Sequence, residues 1–330
     1  MTVARILGAI YEEDFTTASY AYRQGRGPKE AIRALTDQLL EGKYSYIVEA
    51  DIKGFYDHLD HTWLLKMLDL RIGDGAIKRL IKKWLKAGVV EEDGQIYHPV
   101  EGTPQGGVIS PILANVYLHY VMDLWFEKEI KRNCEGEVYY IRFADDFVAS
   151  FQYLRDAKMY YRKLGERLKK FNLELAEEKT QIISFSRFRK YEKTSFSFLG
   201  IEFRWEVSRT GMDIIQRRTN RKRLKRAFAE MTEWCRENRH KHIRKQQETM
   251  KQKLLGHYNY YGIIGNYQSI AQFYSGVMRI WFKWLNRRSQ RRSYTQKEFA
   301  KMTKVWDIPK PRIVEQNKNK IAAQYKFEFV

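Results

Sequence analysis

Hydrophobic and polar positions alternate along several short stretches in the first two thirds of the chain. Three of these stretches are SYIVEADI (45–52), TQIISFS (180–186) and SFSFLGIEFRW (195–205). A fourth, EVYYIRFADDFVASF (137–151), contains two alternating runs on either side of two adjacent aspartates. Period-two alternation predicts strands that bury one face. With helical stretches interposed between them, these strands predict an α+β domain built on an antiparallel sheet.

Apolar residues at helical spacing separate the predicted strands. HLDHTWLLKMLDL (58–70) predicts a helix with Asp60 as its N-cap, and GAIKRLIKKWLKAG (75–88) predicts an amphipathic helix closed by its last glycine. A third helix is predicted over roughly residues 155–171. In VVEEDGQIYHPV (89–100), an Asp-Gly pair lies between two short strand-like runs, which is typical of a hairpin.

The rear of the chain, from about residue 216, is predicted to be helical throughout. Three amphipathic helices are expected within residues 220–238, 249–262 and 270–292. Their apolar faces predict the core positions Leu224, Phe228, Met231, Trp234, Met250, Leu254, Tyr258, Ile270, Phe273, Val277, Trp281 and Trp284. Each helix also has a basic outer face, so a small helical bundle that holds a phosphate backbone is expected.

The composition is that of a folded protein from a reducing compartment. With 330 residues, 44% hydrophobic and 15% aromatic, the chain can bury one large domain or two to three smaller ones. Cys134 and Cys235 are the only cysteines and cannot build a disulfide framework or a zinc cluster. We found neither a signal peptide nor an apolar run near the ~20 residues of a membrane helix. A cytoplasmic location is therefore expected.

Positive charge is concentrated in the rear of the chain. Of the net charge of +20, residues 201–330 carry +19 (30 Lys and Arg against 11 Asp and Glu), and residues 1–200 carry +1. Such asymmetry predicts a polyanionic partner, most often nucleic acid, although a merely solvated basic surface is the alternative. The candidate RNA-binding residues are Arg221, Lys222, Arg223, Lys225, Arg226, Arg287, Arg288, Arg291 and Arg292.

Three carboxylates are predicted to meet at one end of the sheet. Asp145 and Asp146 lie between two antiparallel strands, and Asp51 ends another strand that could lie beside them. Three converging carboxylates repel one another unless cations compensate, and oxygen ligands suit Mg²⁺. Two such ions can activate a 3′-hydroxyl and stabilise a leaving pyrophosphate. The alternative is a solvent-exposed hairpin tip that happens to be acidic.

The chain resembles the group II intron-encoded reverse transcriptase/maturase family over roughly residues 10–315. The resemblance rests on motifs that occur in the order of that family's palm motifs: DIKGFYDHLDH (51–61), GTPQGGVISPILANVYL (102–118), YIRFADD (140–146), EEKTQII (177–183) and SFLGIEF (197–203). Similar blocks flank them: FTTASYAYRQGRGPKEAI (15–32), KLLGHYNYYGIIGN (253–266), WFKWLNRRSQRR (281–292) and IPKPRI (308–313).

The resemblance implies a right-hand polymerase fold with a helical-bundle thumb. Residues 1–44 would be the remaining part of the fingers, 45–205 the fingers and palm catalytic domain, and 206–330 the basic thumb, or maturase, domain. The implied activity is RNA-directed DNA polymerisation with two Mg²⁺ ions, and the implied partners are an RNA template, a DNA or RNA primer, dNTPs and intron RNA. An RNA-binding maturase without polymerase activity, or a fragment that needs a separate fingers segment, are the alternatives.

Site roles follow from the resemblance, position by position. Asp51, Asp145 and Asp146 would form the catalytic acidic cluster, and the Ile52 carbonyl would be a further metal ligand. Tyr56 would be the steric gate that excludes the ribose 2′-hydroxyl. The remaining implied roles are nucleotide contact, proton donation to pyrophosphate and the primer grip, carried by Gln105, Lys179, and Leu199 with Gly200, respectively.

The sequence departs from the family pattern in three places. Phe143 stands where the family's aspartate box usually begins with Tyr, so this chain keeps the ring and lacks only the hydroxyl. We expect a His/Cys-rich endonuclease module to be missing after the thumb, and a first fingers block to be missing before Met1. Arg23 and Arg26 are candidates to replace part of the basic residues that such a block supplies.

Overall fold

The computed structural model describes residues 2–87, 89–90, 96–97, 102, 107–291 and 293–315. The chain forms two compact units. The first contains residues 1–199 and 204–215, and the second contains residues 200–203 and 216–330.

A four-stranded antiparallel sheet lies at the centre of the first unit. Its strands are β1 (Tyr46–Ala50), β4 (Val138–Phe143), β5 (Asp146–Phe151) and β6 (Gln181–Ser184), in the order β4-β5-β1-β6. In β5, every residue after Asp146 is buried, so this inner strand buries both of its faces rather than the one face that alternation predicts. The predicted hairpin is confirmed as β2 (Val89–Val90) paired with β3 (Ile96–Tyr97).

Helices cover this sheet and supply most of the apolar core. They are α1 (Thr2–Glu12), α2 (Pro28–Glu41), α3 (His61–Asp69), α4 (Gly75–Leu85), α5 (Ser110–Leu118), α6 (Lys131–Asn133) and α7 (Leu154–Lys170). Asp60 caps α3 by accepting a hydrogen bond from the Trp63 N–H at 2.9 Å, so the predicted cap is confirmed. Fully buried side chains such as Leu68, Tyr117 and Phe147 belong to one continuous core.

Between α5 and α6 the helix continues through two π-helical segments, His119–Asp123 and Phe126–Ile130. Such widened turns shift the face that later residues present, and they occur frequently at functional sites. Here the first segment ends at Asp123, a fully buried acidic side chain.

A second sheet has the strand order β7-β8-β9: β7 is Ser195–Phe198, β8 is Ile201–Val207 and β9 is Asp213–Thr219. The prediction that helix begins near residue 216 is wrong, because β9 extends to Thr219. Burial alternates along β9, with Ile215, Arg217 and Thr219 buried. The positive charge of Arg217 hides this pattern in the sequence; its guanidinium is paired with Glu315 at 3.2 Å.

The second unit is a helical bundle, as predicted. Its helices are α8 (Arg221–Asn238), α9 (Ile243–Tyr261), α10 (Tyr267–Leu285) and α11 (Gln296–Val305). Of the predicted core, Met231, Met250, Leu254, Tyr258, Ile270, Phe273, Val277 and Trp281 are buried, and Leu224, Phe228, Trp234 and Trp284 are partly buried against them. A Cβ at Gly276 would lie 2.3 Å from the Phe228 ring, so glycine is needed for α8 and α10 to pack this closely.

Polar groups inside the bundle are satisfied at the end of α8. The indole N–H of Trp281 donates to the Gln246 side-chain oxygen at 3.0 Å, and the Gln246 amide donates to the Asn238 and Lys241 carbonyls, each at 2.9 Å. Both cysteines are free. Within the described residues, no helix is long and apolar enough to cross a membrane.

Candidate active site

A two-residue turn joins β4 to β5 and presents the paired aspartates. The last paired residues are Phe143 and Asp146, so Ala144 and Asp145 form the turn. Ala144 has φ +55°, a left-handed conformation that a residue with a Cβ adopts at a cost. The Arg142 guanidinium donates to the Ala144 carbonyl at 3.1 Å, which helps to hold the turn in this conformation.

Asp51 lies at the same end of the sheet as Asp146. The β1–β5 pairing ends at Ala50 and Phe147, so Asp51 is the next residue after β1 and Asp146 is the first residue of β5. Burial raises the pKa of Asp145, and the negative charge of Asp51 raises it further.

The pKa of Asp146 is shifted more strongly than that of Asp145. Burial raises its pKa to about 7, and the charges of Asp145, Asp51 and Glu49 add to the shift, whereas a hydrogen bond from the Leu199 N–H at 3.2 Å opposes it. By surface area the Asp146 residue is exposed. Its carboxylate is thus crowded by surrounding protein atoms but is still reached by solvent. A cation from solvent could therefore bind it.

Lys179 supplies one cation to this cluster. Its amine lies 2.6 Å from a carboxylate oxygen of Asp51. The hydrogen bond to Asp51, and then the Asp51 charge, raise the pKa of Lys179. Both side chains are open to solvent, 63% and 38% exposed, so the pair is easily exchanged for other partners.

The Ile52 carbonyl is directed toward the side of β1 on which β5 lies. Ile52 forms a bridge with Leu175, but the hydrogen bonds of that bridge are made by its neighbours: Ala176 donates to the Asp51 carbonyl and Glu174 accepts from the Lys53 N–H, both at 2.9 Å. In an antiparallel bridge of this kind, the central residue's own N–H and C=O point away from the partner. The predicted ligand atom therefore points to the side of the Asp145–Asp146 turn.

These donors fit a hard divalent cation by their chemistry. Burial first, and neighbouring carboxylates second, raise the pKa values of Asp145 and Asp146, so a positive charge would stabilise their ionised forms, and oxygen donors suit Mg²⁺. Among the residues that the structure describes, no three His, Cys, Asp or Glu side chains converge closely enough to hold a metal. Asp51 is engaged with Lys179 and Asp146 with Leu199, so side-chain rotation is needed for convergence.

Tyr56 lies beside this cluster. It is partly buried against the core, with its ring 5.2 Å from that of Phe55. Burial raises the pKa of Tyr56, followed by a hydrogen bond with the Tyr22 side chain and by the charge of Asp145. Tyr22 has φ +57° and is 58% exposed.

Gln105 lies outside the described residues. Gly102, three residues before it, packs against the segment that contains Tyr56. The Gly102 N–H donates to the Leu59 carbonyl at 2.8 Å. Gly102 has φ +85°, and a Cβ there would lie 2.8 Å from the Tyr56 carbonyl oxygen. Only glycine permits this approach.

Leu199 and Gly200 form the turn between β7 and β8. Both have positive φ, +52° and +74°, as in the type I′ turn of a two-residue hairpin. Gly200 is partly exposed, and its carbonyl accepts from the Asn220 N–H at 2.9 Å. Leu199 is the residue whose N–H contacts Asp146.

Sequence reasoning missed the network behind the aspartate turn. Arg142 is fully buried and donates to both carboxylate oxygens of Asp123, at 2.7 and 2.6 Å. It also donates to the Asn115 side-chain oxygen at 3.0 Å and to the Ser19 hydroxyl at 2.9 Å. The sequence did contain a signal for it: Asp123 and Arg142 are each a single charge within an apolar stretch. Because buried charges must be paired, two such residues are candidates to pair with each other.

Arg23 and Arg26, expected to replace missing basic residues, are engaged within the fold. Arg23 is bonded to Glu12 at 2.8 Å and to the Thr16 carbonyl at 2.7 Å, and its side chain is 5% exposed. Arg26 donates to the Thr17 carbonyl at 2.8 Å.

The predicted RNA-binding residues in the second unit lie on its surface. Arg221, Lys222, Arg223, Lys225 and Arg226 are all exposed at the start of α8. After α10, Arg287 and Arg291 are exposed and Arg288 is half-buried, whereas Arg292 lies outside the described residues. Three cations surround Trp284: Arg239, Lys283 and Arg287, each within 6 Å of its ring centre.

Comparison with known proteins places this chain among polymerases. A profile of the family described as reverse transcriptase (RNA-dependent DNA polymerase) matches residues 1–203. The group II intron-encoded protein LtrA of Lactococcus lactis subsp. cremoris is 31% identical, over 62% of this chain and 42% of LtrA. An uncharacterised 91 kDa protein in the cob intron of Schizosaccharomyces pombe is 42% identical, over 34% of this chain and 14% of that protein. The chain thus spans less than half of these relatives.

A solved structure supports the fold. The structure of apo telomerase from Candida tropicalis matches with a TM-score of 0.51 at 16% identity, over 92% of this chain and 50% of that chain. At this identity the similarity concerns the fold alone, and it confirms the predicted α+β, right-hand polymerase architecture. The resemblance to group II intron-encoded proteins is confirmed as well, and the chain belongs to the reverse transcriptase (RNA-dependent DNA polymerase) family.

Proposed function

We propose that this chain is an RNA-directed DNA polymerase of the group II intron type, which extends a primer 3′-hydroxyl with dNTPs on an RNA template. One observation carries the proposal: in a member of the reverse transcriptase family, Asp51 and the Asp145–Asp146 turn lie at the same end of the central sheet. Burial, together with the charge of Asp51, raises the pKa values of Asp145 and Asp146, and this supports a role in binding cations.

Asp51, Asp145, Asp146 and the Ile52 carbonyl would hold two Mg²⁺ ions. When bound, such ions lower the pKa of the attacking 3′-hydroxyl and stabilise negative charge on the leaving pyrophosphate. The protein's own contribution is to keep the three carboxylates at one end of the sheet through the β1–β5 pairing, so that rotation of their side chains, without movement of the strands, would bring them together.

Lys179 would donate a proton to the leaving pyrophosphate. Its amine lies 2.6 Å from the Asp51 carboxylate, and a lysine amine is protonated at neutral pH. A protonated amine beside the reacting phosphates can act as a general acid.

Tyr56 would select the sugar. Its partly buried ring is fixed by packing on Phe55 and by the hydrogen bond with Tyr22, and the charge of Asp145 acts on it. A rigid ring near the sugar would clash with a 2′-hydroxyl and admit a 2′-deoxyribose. Gln105 would contact the nucleotide nearby, and Leu199 with Gly200 would support the primer end.

The second unit would hold RNA as a thumb, and intron RNA is the proposed natural partner. The five exposed cations of α8 and the cations around Trp284 support this role, since phosphate contacts give sequence-independent affinity. The similarity to a group II intron-encoded protein supports intron RNA in particular.

Primer extension tests the proposal. The purified chain, supplied with an RNA template, an annealed DNA primer, dNTPs and Mg²⁺, is expected to extend the primer. Asp145→Ala with Asp146→Ala should abolish extension and leave RNA binding intact. The control Asp37→Ala with Asp69→Ala removes two exposed carboxylates elsewhere and should extend normally.

Two outcomes would contradict the proposal. Extension by the Asp145/Asp146 variant would show that the reacting site lies elsewhere. A wild-type chain that binds RNA tightly but never extends a primer would instead support an RNA-binding maturase or a fragment that needs a separate fingers segment.

A further inference from the structure

A groove lies at the end of the central sheet opposite to the Asp145–Asp146 turn. It has a volume of about 800 Å³, and its lining includes Lys43, Tyr44, Tyr153, Arg187, Phe188 and Arg189. These six residues define what we call the distal groove. They follow α2, β5 and β6, so they belong to the first unit. The length of β5 separates them from the aspartate turn by about 20 Å.

Two aromatic rings in the distal groove are open to solvent. Phe188 is 86% exposed and Tyr153 is 47% exposed, and the neighbouring Leu154 is 38% exposed. Folding gives no reason for a phenylalanine this exposed, because it buries almost no apolar area. Exposed apolar side chains grouped beside a concavity mark binding sites more often than isolated ones do.

Arg187 forms a rigid, positively charged floor. Its guanidinium donates to the Leu40 and Gly42 carbonyls at 2.7 and 3.0 Å and lies 5.2 Å from the centre of the Trp205 ring. These contacts hold the segment after β6 against the segment after α2. The groove therefore has a fixed wall and a fixed guanidinium before any ligand binds. Because these groups are already ordered, binding costs less conformational entropy.

Two further cations at the rim are only weakly engaged. The Lys43 amine lies 3.7 Å from the Glu137 carboxylate, with both side chains well exposed. Arg189 is exposed, and its guanidinium approaches the Ser184 hydroxyl at 3.5 Å. Exposed pairs of this kind contribute little, so a phosphate can take either cation at low cost.

We propose that the distal groove binds single-stranded RNA, with bases stacked on Phe188 and Tyr153 and phosphates at Lys43 and Arg189. The lining carries three cations against one carboxylate, Glu41, so it is complementary to a polyanion. Stacking on an exposed ring needs an unpaired base, which favours a single strand over a duplex. The inference rests on the proposed function for the class of partner and adds a second contact remote from the catalytic end.

Two variants of the full chain test this site. The aromatic variant is Tyr153→Ser with Phe188→Ser, and its control, Leu70→Ser with Val305→Ser, removes exposed apolar side chains elsewhere. The charge variant is Lys43→Gln with Arg189→Gln, and its control is Lys82→Gln with Lys83→Gln on the exposed face of α4. The probes are a fluorescent unstructured RNA oligonucleotide, the same RNA as a duplex, and a 4-thiouridine-labelled copy for crosslinking.

The aromatic variant is expected to lose about fivefold or more in affinity for the single strand, a change typical of losing one stacked base, and to bind the duplex normally. The charge variant should lower the salt dependence of single-strand binding, since each lost phosphate contact lowers the slope by about 0.7. Crosslinked peptides should contain residues 153 or 188 in the wild type. Crosslinking detects the contact even where the second unit holds most of the RNA.

Unchanged single-strand affinity together with no crosslink in the distal groove would overturn the proposal. Normal RNA binding combined with loss of self-association, measured by light scattering, would assign the groove to a second copy of the chain and overturn it as well. Failure of the proposed function is distinguishable: a wild type that never extends a primer, yet crosslinks at residues 153 or 188, would leave the groove standing.

Discussion

At the scale of single residues, the catalytic turn depends on a buried arginine. Arg142 reaches the Ala144 carbonyl, Asp123, Asn115 and Ser19 with one planar guanidinium. This fork keeps a strained turn in one conformation, and the strain lies next to Asp145. The sequence indicated which carboxylates lie at this end of the sheet, but not what holds the turn, because the network joins three segments that are distant in the chain, around residues 19, 115–123 and 142–144.

Arg142→Lys is predicted to reduce extension between about tenfold and a hundredfold, because an ångström-scale misplacement of reacting groups costs that much. Lysine keeps the charge against Asp123, so the chain should stay folded, but it cannot bond all the partners at once. Apparent Mg²⁺ affinity should fall more than RNA affinity. The measurement is single-nucleotide incorporation over a Mg²⁺ series, with circular dichroism to check folding.

Arg167→Lys is the matched control for that substitution. Arg167 donates to the Val121 and Tyr120 carbonyls of the same π-helical segment but does not touch the aspartate turn. Equal losses in the two variants would show that Arg142 has only a general structural role.

Tyr56→Ala is predicted to weaken discrimination between dNTPs and NTPs by about tenfold or more, because loss of the ring leaves room for a 2′-hydroxyl. Relative incorporation of dNTP and NTP by each enzyme measures the effect. Phe143→Tyr, which adds only a hydroxyl near the same turn, should discriminate as the wild type does. Wild-type discrimination in the Tyr56→Ala chain would remove Tyr56 from the gate.

At the scale of elements, period and cap signals predicted most helices and strands. The Asp60 cap, the four central strands and the helical bundle all followed from local patterns. The strand β9 did not, because Arg217 at an inward position disguises its alternation until the pairing with Glu315 is known. The π-helical segments after α5 were not predicted either.

The basic start of α8 is predicted to supply part of the salt-dependent RNA affinity. Changing Arg221, Lys222, Arg223, Lys225 and Arg226 to Gln should lower the slope of log affinity against log salt by about two, if two or three of these side chains contact phosphate. The helix should survive, because all five are exposed. Lys297→Gln, Lys301→Gln and Lys304→Gln on α11 form the control. Equal slopes for wild type and the α8 variant would exclude this helix as a clamp.

His257 on α9 is predicted to make the bundle acid-sensitive. Burial lowers its pKa to about 4, and its ring stacks on Phe273 at 3.7 Å. The fold favours the neutral ring, so its contribution is present above the unfolded pKa of about 6.5 and is lost as pH falls toward about 4, by at most about 1.4 kcal/mol per pH unit. Between pH 6.5 and pH 4, the melting temperature of His257→Gln should depend less on pH than that of the wild type, whereas His240→Gln should behave as the wild type does. An unchanged pH dependence in His257→Gln would contradict this account.

At the scale of the whole molecule, charge and chemistry are divided along the chain. The first unit contains the acidic cluster, and almost all of the excess positive charge follows residue 200. This division was visible in the sequence, because counting charges needs no structure. The distal groove was not visible, since it is formed by three segments that only the sheet brings together.

The central claim is that Asp51, Asp145 and Asp146 bind the ions that drive nucleotide addition. Its most direct test is crystallography of the chain with an RNA template, a DNA primer and a non-hydrolysable dNTP in Mn²⁺, with the ions located by anomalous scattering. Two ions are expected where β1 ends and β5 begins, in contact with these carboxylates and the Ile52 carbonyl. Bound nucleotide with its ions elsewhere, or with none at this strand end, would contradict it.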